Sequence, residues 1–347
     1  MNRILIVRLS ALGDIVHALP VLAALGRAHP AAAIDWLVEE DFAPILSLAE
    51  GLHRRIIVRA RTSAVTADAV SFGGVLGYLR AAAFLRSQHY DAALDLQGLI
   101  KSAVWARASG ARRVIGFDRA HLREPQAAAL YSETVVPQDA PHVIQKNLSI
   151  LAALNVHRAP VELPLRATSS PEISRAVEEA GGRGGYIVLN PGAAWPNKRW
   201  PPERFGALAA ALRDRAGLRS LVTWGPAERA LAESVSRASA GAADAAPSTT
   251  VGDLAALVRD AALVVSGDTG PLHIAAAMGA PLLGLYGPTW PERNGPWDPN
   301  DEVISRAASC VCHHKRQCLR GAPCINEITM DEVIAAAERR LAKAQHR

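Results

Sequence analysis

The sequence predicts an α/β protein of two Rossmann-like domains facing one another across a cleft. Three observations carry that prediction. Short apolar runs of strand length alternate with helix-length stretches over residues 3–154, and the same alternation begins again after residue 171. A break around Pro160, Pro164 and the run RATSSP separates the two series. Several apolar runs end in loops of small residues, as in SALGD, NPGAA and SGDTG. Strands alternating with helices imply a parallel sheet covered on both faces, and such sheets bind ligands outside the carboxyl ends of their strands. A chain of 347 residues suits two domains of ordinary size, which we place at 1–165 and 166–347.

In the first half RILIVRL (3–9) reads as a strand, SALG as a loop and 14–28 as a helix with Asp14 at its cap. Further strands are expected at 34–38, 55–58, 92–96 and 113–117, with helices near 44–49, 75–87, 99–108 and 142–154. In the second half strands are expected at 186–189, 221–224, 263–265 and 282–285. The helices there fall at 172–180, 202–215, 227–238, 254–260 and 272–278. A last amphipathic helix, 330–344, is expected to pack back across the domains.

The most informative stretch is LVVSGDTGPLHIAAAMGAPLLGLYGPT, 263–289. A buried strand, a loop without bulky side chains and a helix opening at Pro271 make an anion site, because a helix N-terminus offers unpaired N–H groups and the positive end of its dipole. Thr269 and Gly270 are placed to meet a phosphate. Asp268 would repel that anion, so it is assigned to sugar hydroxyls or to orienting His273; the competing reading is that Asp268 and Thr269 merely cap the helix. Upstream, NPGAAWPNKRWP offers an accessible backbone at Gly192 and Ala193 and cations at Lys198 and Arg199 for a diphosphate. Glu228, after the next strand, could accept hydrogen bonds from a ribose or sugar, or lie on the surface. Asp14 ends up after the first strand, where a carboxylate suits a general base and equally an N-cap. His17, one turn later, reads as packed.

Absent motifs narrow the chemistry. No G-x-G-x-x-G follows the first strand and no P-loop sequence occurs, against a dinucleotide oxidoreductase or P-loop enzyme. No D-x-D pair is present to hold a metal on a diphosphate, so no metal ligand is assigned to the site. The formal charge is +5, and residues 51–125 hold twelve Lys or Arg against five acids. That patch suggests an anionic partner. Aromatic residues make up 5% of the chain, too few for the stacking platforms of a nucleic-acid binder. The first 25 residues resemble a signal peptide, yet Arg8, Asp14 and His17 interrupt them, and no apolar run reaches membrane-spanning length. A cytoplasmic protein is expected. All four cysteines stand in CVCHHKRQCLRGAPC. Such clustering suggests a metal site, although the spacing is not that of a zinc ribbon; a local thiol cluster or a labile disulfide are the other readings.

In this order, SALGDIVHALP, WLVEEDF, DLQGLIKSA, LREP, NPGAAWPNKRWP and SGDTGPLHIAAAMGAPLLGLYGPT resemble the lipopolysaccharide heptosyltransferases of glycosyltransferase family 9 across nearly the whole chain. GDIVHALP with WLVEE is nearer to the first type than the second, and the Cys-rich segment departs from it. The resemblance implies a GT-B fold with an N-terminal acceptor domain and a C-terminal donor domain. It implies inverting, metal-independent transfer of L-glycero-D-manno-heptose from ADP-heptose to the 3-deoxy-octulosonate (Kdo) of a lipid A-linked inner core. That transfer would run at the inner face of the cell membrane, with no cofactor and no nucleic acid. Asp14 matches the catalytic base. Lys198, Glu228, Asp268, Thr269, Gly270 and His273 match donor-binding positions, and Arg59, Arg61, Lys101 and Arg123 match basic positions for an anionic acceptor. Ala193 and Ala194 stand where the family often has hydroxyls, leaving backbone N–H groups for phosphate there. Another family 9 specificity, or a sugar-nucleotide epimerase of the same architecture, is the alternative.

Overall fold

The computed structural model describes residues 1–347 except 60–63, 66–68, 140, 314, 319, 346 and 347; at 64, 65, 69–73, 75 and 345 it describes the backbone alone. The chain divides into two compact units, Met1–Leu165 and Arg166–Arg347.

The first unit holds strands β1 (Arg3–Val7), β2 (Ala33–Glu39), β3 (Arg54–Arg59), β4 (Ala64–Val65), β5 (Ala69–Gly73), β6 (Ala92–Asp95), β7 (Arg113–Phe117) and β8 (Glu133–Val135). They form one sheet in the order β4-β5-β3-β2-β1-β6-β7-β8, parallel except where β4 runs against β5. The central strands are continuous apolar runs because helices bury both of their faces. Ile4 to Val7 are fully buried, and Leu5, Val7, Leu37, Ile56, Leu85, Tyr90 and Val114 belong to one core. Val7 lies opposite both Leu37 and Asp95. The strand order therefore reverses between β1 and β6, where the loops after these strands part to opposite faces.

The helix expected over 14–28 is two helices, Leu12–Val16 and Leu19–Ala28. Pro20 is the cause: it has no N–H for the carbonyl of Val16, and its ring would strike that carbonyl in a continuous helix. In DLQG, Asp95 is buried and accepts from Tyr131 Oη (2.7 Å), Ser102 Oγ (2.8 Å) and the backbone N–H groups of Gln97 and Gly98. Burial pushes its carboxyl up, against the pull of those hydrogen bonds. Gln97 in turn accepts from Leu9 N (2.7 Å), so this motif fastens the loop that follows β1.

The second unit holds β9 (Tyr186–Asn190), β10 (Arg219–Val222), β11 (Ala243–Ala245), β12 (Leu263–Gly267), β13 (Leu282–Tyr286) and β14 (Glu302–Ser305), all parallel in the order β11-β10-β9-β12-β13-β14. This is the doubly wound order, reversing between β9 and β12. The helix expected from 254 begins at Val251, because Thr250 and Asp253 form a reciprocal capping box. The last helix, Met330–Gln345, packs on helix Pro202–Ala216 and on β13 and β14. Its Val333, Ile334, Ala336 and Ala337 are part of the second unit's core. Among the described residues no helix is long and apolar enough to cross a membrane.

Candidate active site

The loop after β12 and the loop after β9 flank the point where the second sheet reverses. Ser266 lies opposite Asn190 in the parallel register. Asn190 Nδ2 reaches Ser266 Oγ (2.9 Å), Thr269 Oγ1 (3.1 Å) and Gly192 O (3.2 Å), and its Oδ1 accepts from Thr223 Oγ1 (3.2 Å). The Thr269 hydroxyl is thereby turned inward. Although Thr269 is the N-cap residue of helix Gly270–Ala277, neither it nor Asp268 caps that helix, and no side chain among the described residues does. The capping reading is thus overturned, and the first N–H groups of the helix are left for another acceptor.

Asp268 is 6% exposed and fully engaged. Its Oδ2 takes Lys198 Nζ at 2.6 Å; its Oδ1 takes Asn294 Nδ2 at 2.8 Å and His273 Nε2 at 3.2 Å. Burial alone would raise this carboxyl. The hydrogen bond and charge of His273, and then the Lys198 ammonium, outweigh burial and hold it well below the usual carboxylate range. Of the two roles open to Asp268, orientation of His273 has a contact in this geometry, Oδ1 to Nε2 at 3.2 Å.

Lys198 ends the short turn Pro196–Lys198, with its ammonium 5.0 Å from the centre of the Trp195 ring. A Cβ on Gly267 would lie 2.7 Å from Lys198 O, so only glycine lets the two loops approach this closely. Arg199, the second cation of this loop, is engaged by protein groups. Its Nε donates to Ala193 O (2.8 Å) and its Nη2 to Glu228 Oε1 (3.2 Å). The Glu228 carboxylate also accepts from Gly225 N and rests on Gly192, where a Cβ would come within 2.2 Å of its Oε2. Glu228 therefore ties the loop after β10 to the loop after β9 beside Gly192.

In the first unit, Asp14 lies in the first turn of helix Leu12–Val16, and Ala11 holds the cap position. Its side chain is 41% exposed, and Oδ2 pairs with Arg8 Nη2 at 2.5 Å. No backbone N–H bonds to it among the described residues, so the N-cap reading does not hold for Asp14. Arg8 is itself buried, donating through Nη1 to Leu96 O across the β1–β6 reversal. His17 is buried edge-on against His142, with ring centres 5.6 Å apart.

The four basic residues assigned to the acceptor differ. Arg59 Nε pairs with Glu40 Oε1 at 3.1 Å, and Lys101 Nζ with Glu39 Oε1 at 2.5 Å, so the two glutamates of WLVEE neutralise both. Arg123 is exposed and has no ion-pair partner among the described residues. Arg61 lies outside the described residues. No three metal-ligating side chains stand in ligating geometry among the described residues.

The profile of glycosyltransferase family 9 (heptosyltransferase) matches residues 78–322. The chain belongs to glycosyltransferase family 9. It is 30% identical over 318 residues to lipopolysaccharide heptosyltransferase 1 of Pseudomonas aeruginosa, covering 91% of this chain and 87% of that protein. The protein of the same name from Escherichia coli K12 is 30% identical over 315 residues, covering 88% and 93%. Among solved structures, E. coli heptosyltransferase WaaC with ADP superposes with a TM-score of 0.73 at 25% identity, covering 99% of this chain and 100% of that one. E. coli ADP-heptose lps heptosyltransferase II superposes with a TM-score of 0.75 at 21% identity, again over 99% and 100%. The fold is GT-B, and this family 9 protein is a glycosyltransferase.

Three residues of this family 9 site were not found by motif reading. Arg8 read as an interruption of an apolar run and Asn190 only as the first residue of NPGAA, while Asn294 was given no role. Asn190 and Asn294 act through partners distant in the chain, so nothing local marks them. For Asn294, 26 positions from Asp268, the one local signal was a polar residue just past the apolar stretch.

Proposed function

We propose that the chain transfers L-glycero-D-manno-heptose from ADP-heptose, with inversion, to a Kdo residue of a lipid-linked lipopolysaccharide core. The second unit binds the donor and the first binds the acceptor. The observation that carries this reading is the Lys198 ammonium, anchored by buried Asp268 next to an uncapped helix start: a diphosphate site built from a cation and N–H groups. The names of the relatives support heptose and lipopolysaccharide; the Kdo acceptor and the stereochemistry follow from the family resemblance.

Asp14 accepts the proton of the acceptor hydroxyl while that oxygen forms its bond to the anomeric carbon. The bond from that carbon to the phosphate oxygen breaks on the opposite face, and its electron pair leaves with ADP. Lys198 and the N–H groups of Gly270 and Leu272 stabilise the charge that develops there. His273, oriented by Asp268, and Glu228, beside Gly192, complete the donor site; Ala193 and Ala194 offer backbone N–H groups. Arg8 orients the Asp14 carboxylate. Incubation with ADP-heptose and core truncated to Kdo should yield an acceptor heavier by one heptose, together with free ADP. An unchanged acceptor with an isomerised sugar nucleotide would mean an epimerase instead.

Activity is expected to be equal in EDTA and in excess magnesium, since lysine and helix dipole serve the diphosphate. Loss in EDTA that magnesium restores would sink this reading of the site. For the acceptor, Arg123 has no carboxylate partner among the described residues, so Arg123→Ala should raise the acceptor KM about tenfold or more and spare donor affinity, a charge-assisted contact contributing about 1.5–3 kcal/mol when desolvated. Equal damage to both affinities would make Arg123 structural.

A lipid-linked acceptor calls for a membrane-facing surface. Leu76 and Leu79 (each 67% exposed) and Tyr78 project from helix Gly74–Ser87, and Ile100 and Val104 from the adjoining helix Ile100–Ala108. Arg80 is exposed among them. Apolar side chains beside a cation suit the surface of an anionic bilayer. Co-sedimentation with phosphatidylglycerol vesicles should fall at least about tenfold in Leu79→Glu/Val104→Glu, as expected when apolar area of this size is removed and charge is added. Unchanged sedimentation would exclude this patch.

A further inference from the structure

Where the first sheet reverses between β1 and β6, Gln97 stands half-buried in the loop after β6, and the mechanism above gives it no part. Its Oε1 accepts from two backbone N–H groups at once, Leu9 (2.7 Å) and Ser10 (3.3 Å), in the loop leading from β1 to the helix of Asp14. Two donors on one atom identify that atom as the oxygen, so the amino group Nε2 is turned the other way. The backbone beside it is equally fixed. Asp95 Oδ1 accepts from Gln97 N (2.9 Å) and Gly98 N (3.2 Å), and Leu96 O accepts from Nη1 of Arg8 (2.5 Å), whose Nη2 holds Asp14. Nε2 alone of these groups has no partner among the described residues.

A donor held this firmly at the carboxyl end of a parallel sheet, one residue from the carbonyl that anchors Arg8, is placed to meet a ligand oxygen. Charge decides which kind of oxygen. A hydroxyl needs an acceptor as well as a donor, and Oε1 already spends both of its lone pairs on Leu9 and Ser10. A carboxylate only accepts. Arg8 offsets the charge of Asp14, and helix Ile100–Ala108 opens three residues after Gln97 with the positive end of its dipole toward this loop, so an anion is not repelled here. Being neutral, Nε2 does not draw Asp14 away from Arg8 as a second cation would.

We infer that Gln97 binds the acceptor: Nε2 donates to the carboxylate of the acceptor sugar, while Oε1 holds the loop that leads to Asp14. One carboxamide thus ties the position of the bound sugar to the position of the base. The inference rests on the acceptor proposed above, whose Kdo is a sugar acid. A purely structural Gln97 would need its oxygen alone, and a carboxylate would serve Leu9 and Ser10 at least as well. The two roles therefore separate under one substitution.

Gln97→Glu keeps an oxygen for Leu9 and Ser10 but puts a second anionic oxygen where the amino group was. With ADP-heptose and Kdo-terminated core, its acceptor KM should rise about tenfold or more, the size of a lost charge-assisted contact, while ADP-heptose affinity and melting temperature stay as in the unmutated protein. That penalty should largely vanish on an acceptor whose Kdo carboxyl has been reduced to a primary alcohol. Gln97→Met removes both ends of the carboxamide, so it should also melt lower and turn over more slowly, defects that Gln97→Glu repairs. The unmutated enzyme's preference for the carboxylated acceptor should shrink about tenfold in Gln97→Met, a comparison that stands even if Gln97→Glu does not fold. An unchanged acceptor KM in Gln97→Glu would overturn the contact. So would an equal rise on both acceptors, or an undiminished preference in Gln97→Met. No turnover of either acceptor by the unmutated chain would sink the proposed function itself, and this inference with it.

Discussion

Asp14→Asn enzyme is expected to fold, to bind ADP-heptose as the unmutated protein does, and to turn over at least about 10²-fold more slowly, the usual size of a general-base contribution. The substitution keeps the shape of the side chain and an oxygen for Arg8, so the local structure should persist while the site loses its proton acceptor. Asp14 caps no helix, and its side chain is 41% exposed, so little stability depends on it. Glutamate is the companion variant. It retains the carboxylate, but the longer side chain moves it relative to Arg8, and partial activity should result. Turnover of purified Asp14→Asn within a few-fold of normal would mean that the base lies elsewhere, and pre-steady-state measurement of ADP release would show whether chemistry had been slowed at all.

Asp268→Ala should be the most destabilising substitution in the donor site, costing about 3–5 kcal/mol at pH 7. It leaves the Lys198 ammonium, 17% exposed, without its counter-ion, and removes the acceptor of both Asn294 and His273. Melting of the second unit should fall by on the order of 10 °C. The effect has a pH signature. An unfolded aspartate titrates near 3.9, and the folded Asp268 carboxyl lies well below its ordinary value. Its stabilisation is therefore complete at neutral pH, begins to fade as pH falls through about 4, and is lost once the folded carboxyl is protonated. The stability difference between unmutated protein and Asp268→Asn should narrow on acidification below about pH 4; a difference independent of pH down to the acid transition would mean that the ionised carboxylate contributes nothing. Donor affinity should fall in both variants, because Lys198 is no longer aimed.

The architecture was legible wherever burial is complete. Ile4 to Val7, Tyr186 to Leu189 and Leu263 to Val265 sit between two layers of helix, so their composition alone marks them as strands. Edge strands were not read. Glu133–Val135, Ala243–Ala245 and Glu302–Ser305 are short and half exposed, and what makes them strands is pairing with a neighbour already in place. The 14–28 helix was misjudged because periodicity carried more weight than Pro20. In the site, SGDTG and the lysine loop could be read because small residues at a strand end have few other uses. The partners of Arg59 and Lys101 could not, since Glu40 and Glu39 meet them through the sheet rather than through sequence spacing. A basic segment can thus look like a bare cationic face while local glutamates cancel two of its charges.

The anchoring of Lys198 has a thermodynamic consequence. An ordinary surface lysine must surrender its rotamer freedom, up to about 2 kcal/mol, when it meets a phosphate. Here the ammonium is already held by Asp268 and lies over the Trp195 ring, so that entropy is lost when the chain folds rather than when the nucleotide arrives. A nucleotide should therefore meet a fixed charge: its binding enthalpy has less ordering to offset, and what limits affinity is the water stripped from the diphosphate rather than the stilling of the side chain.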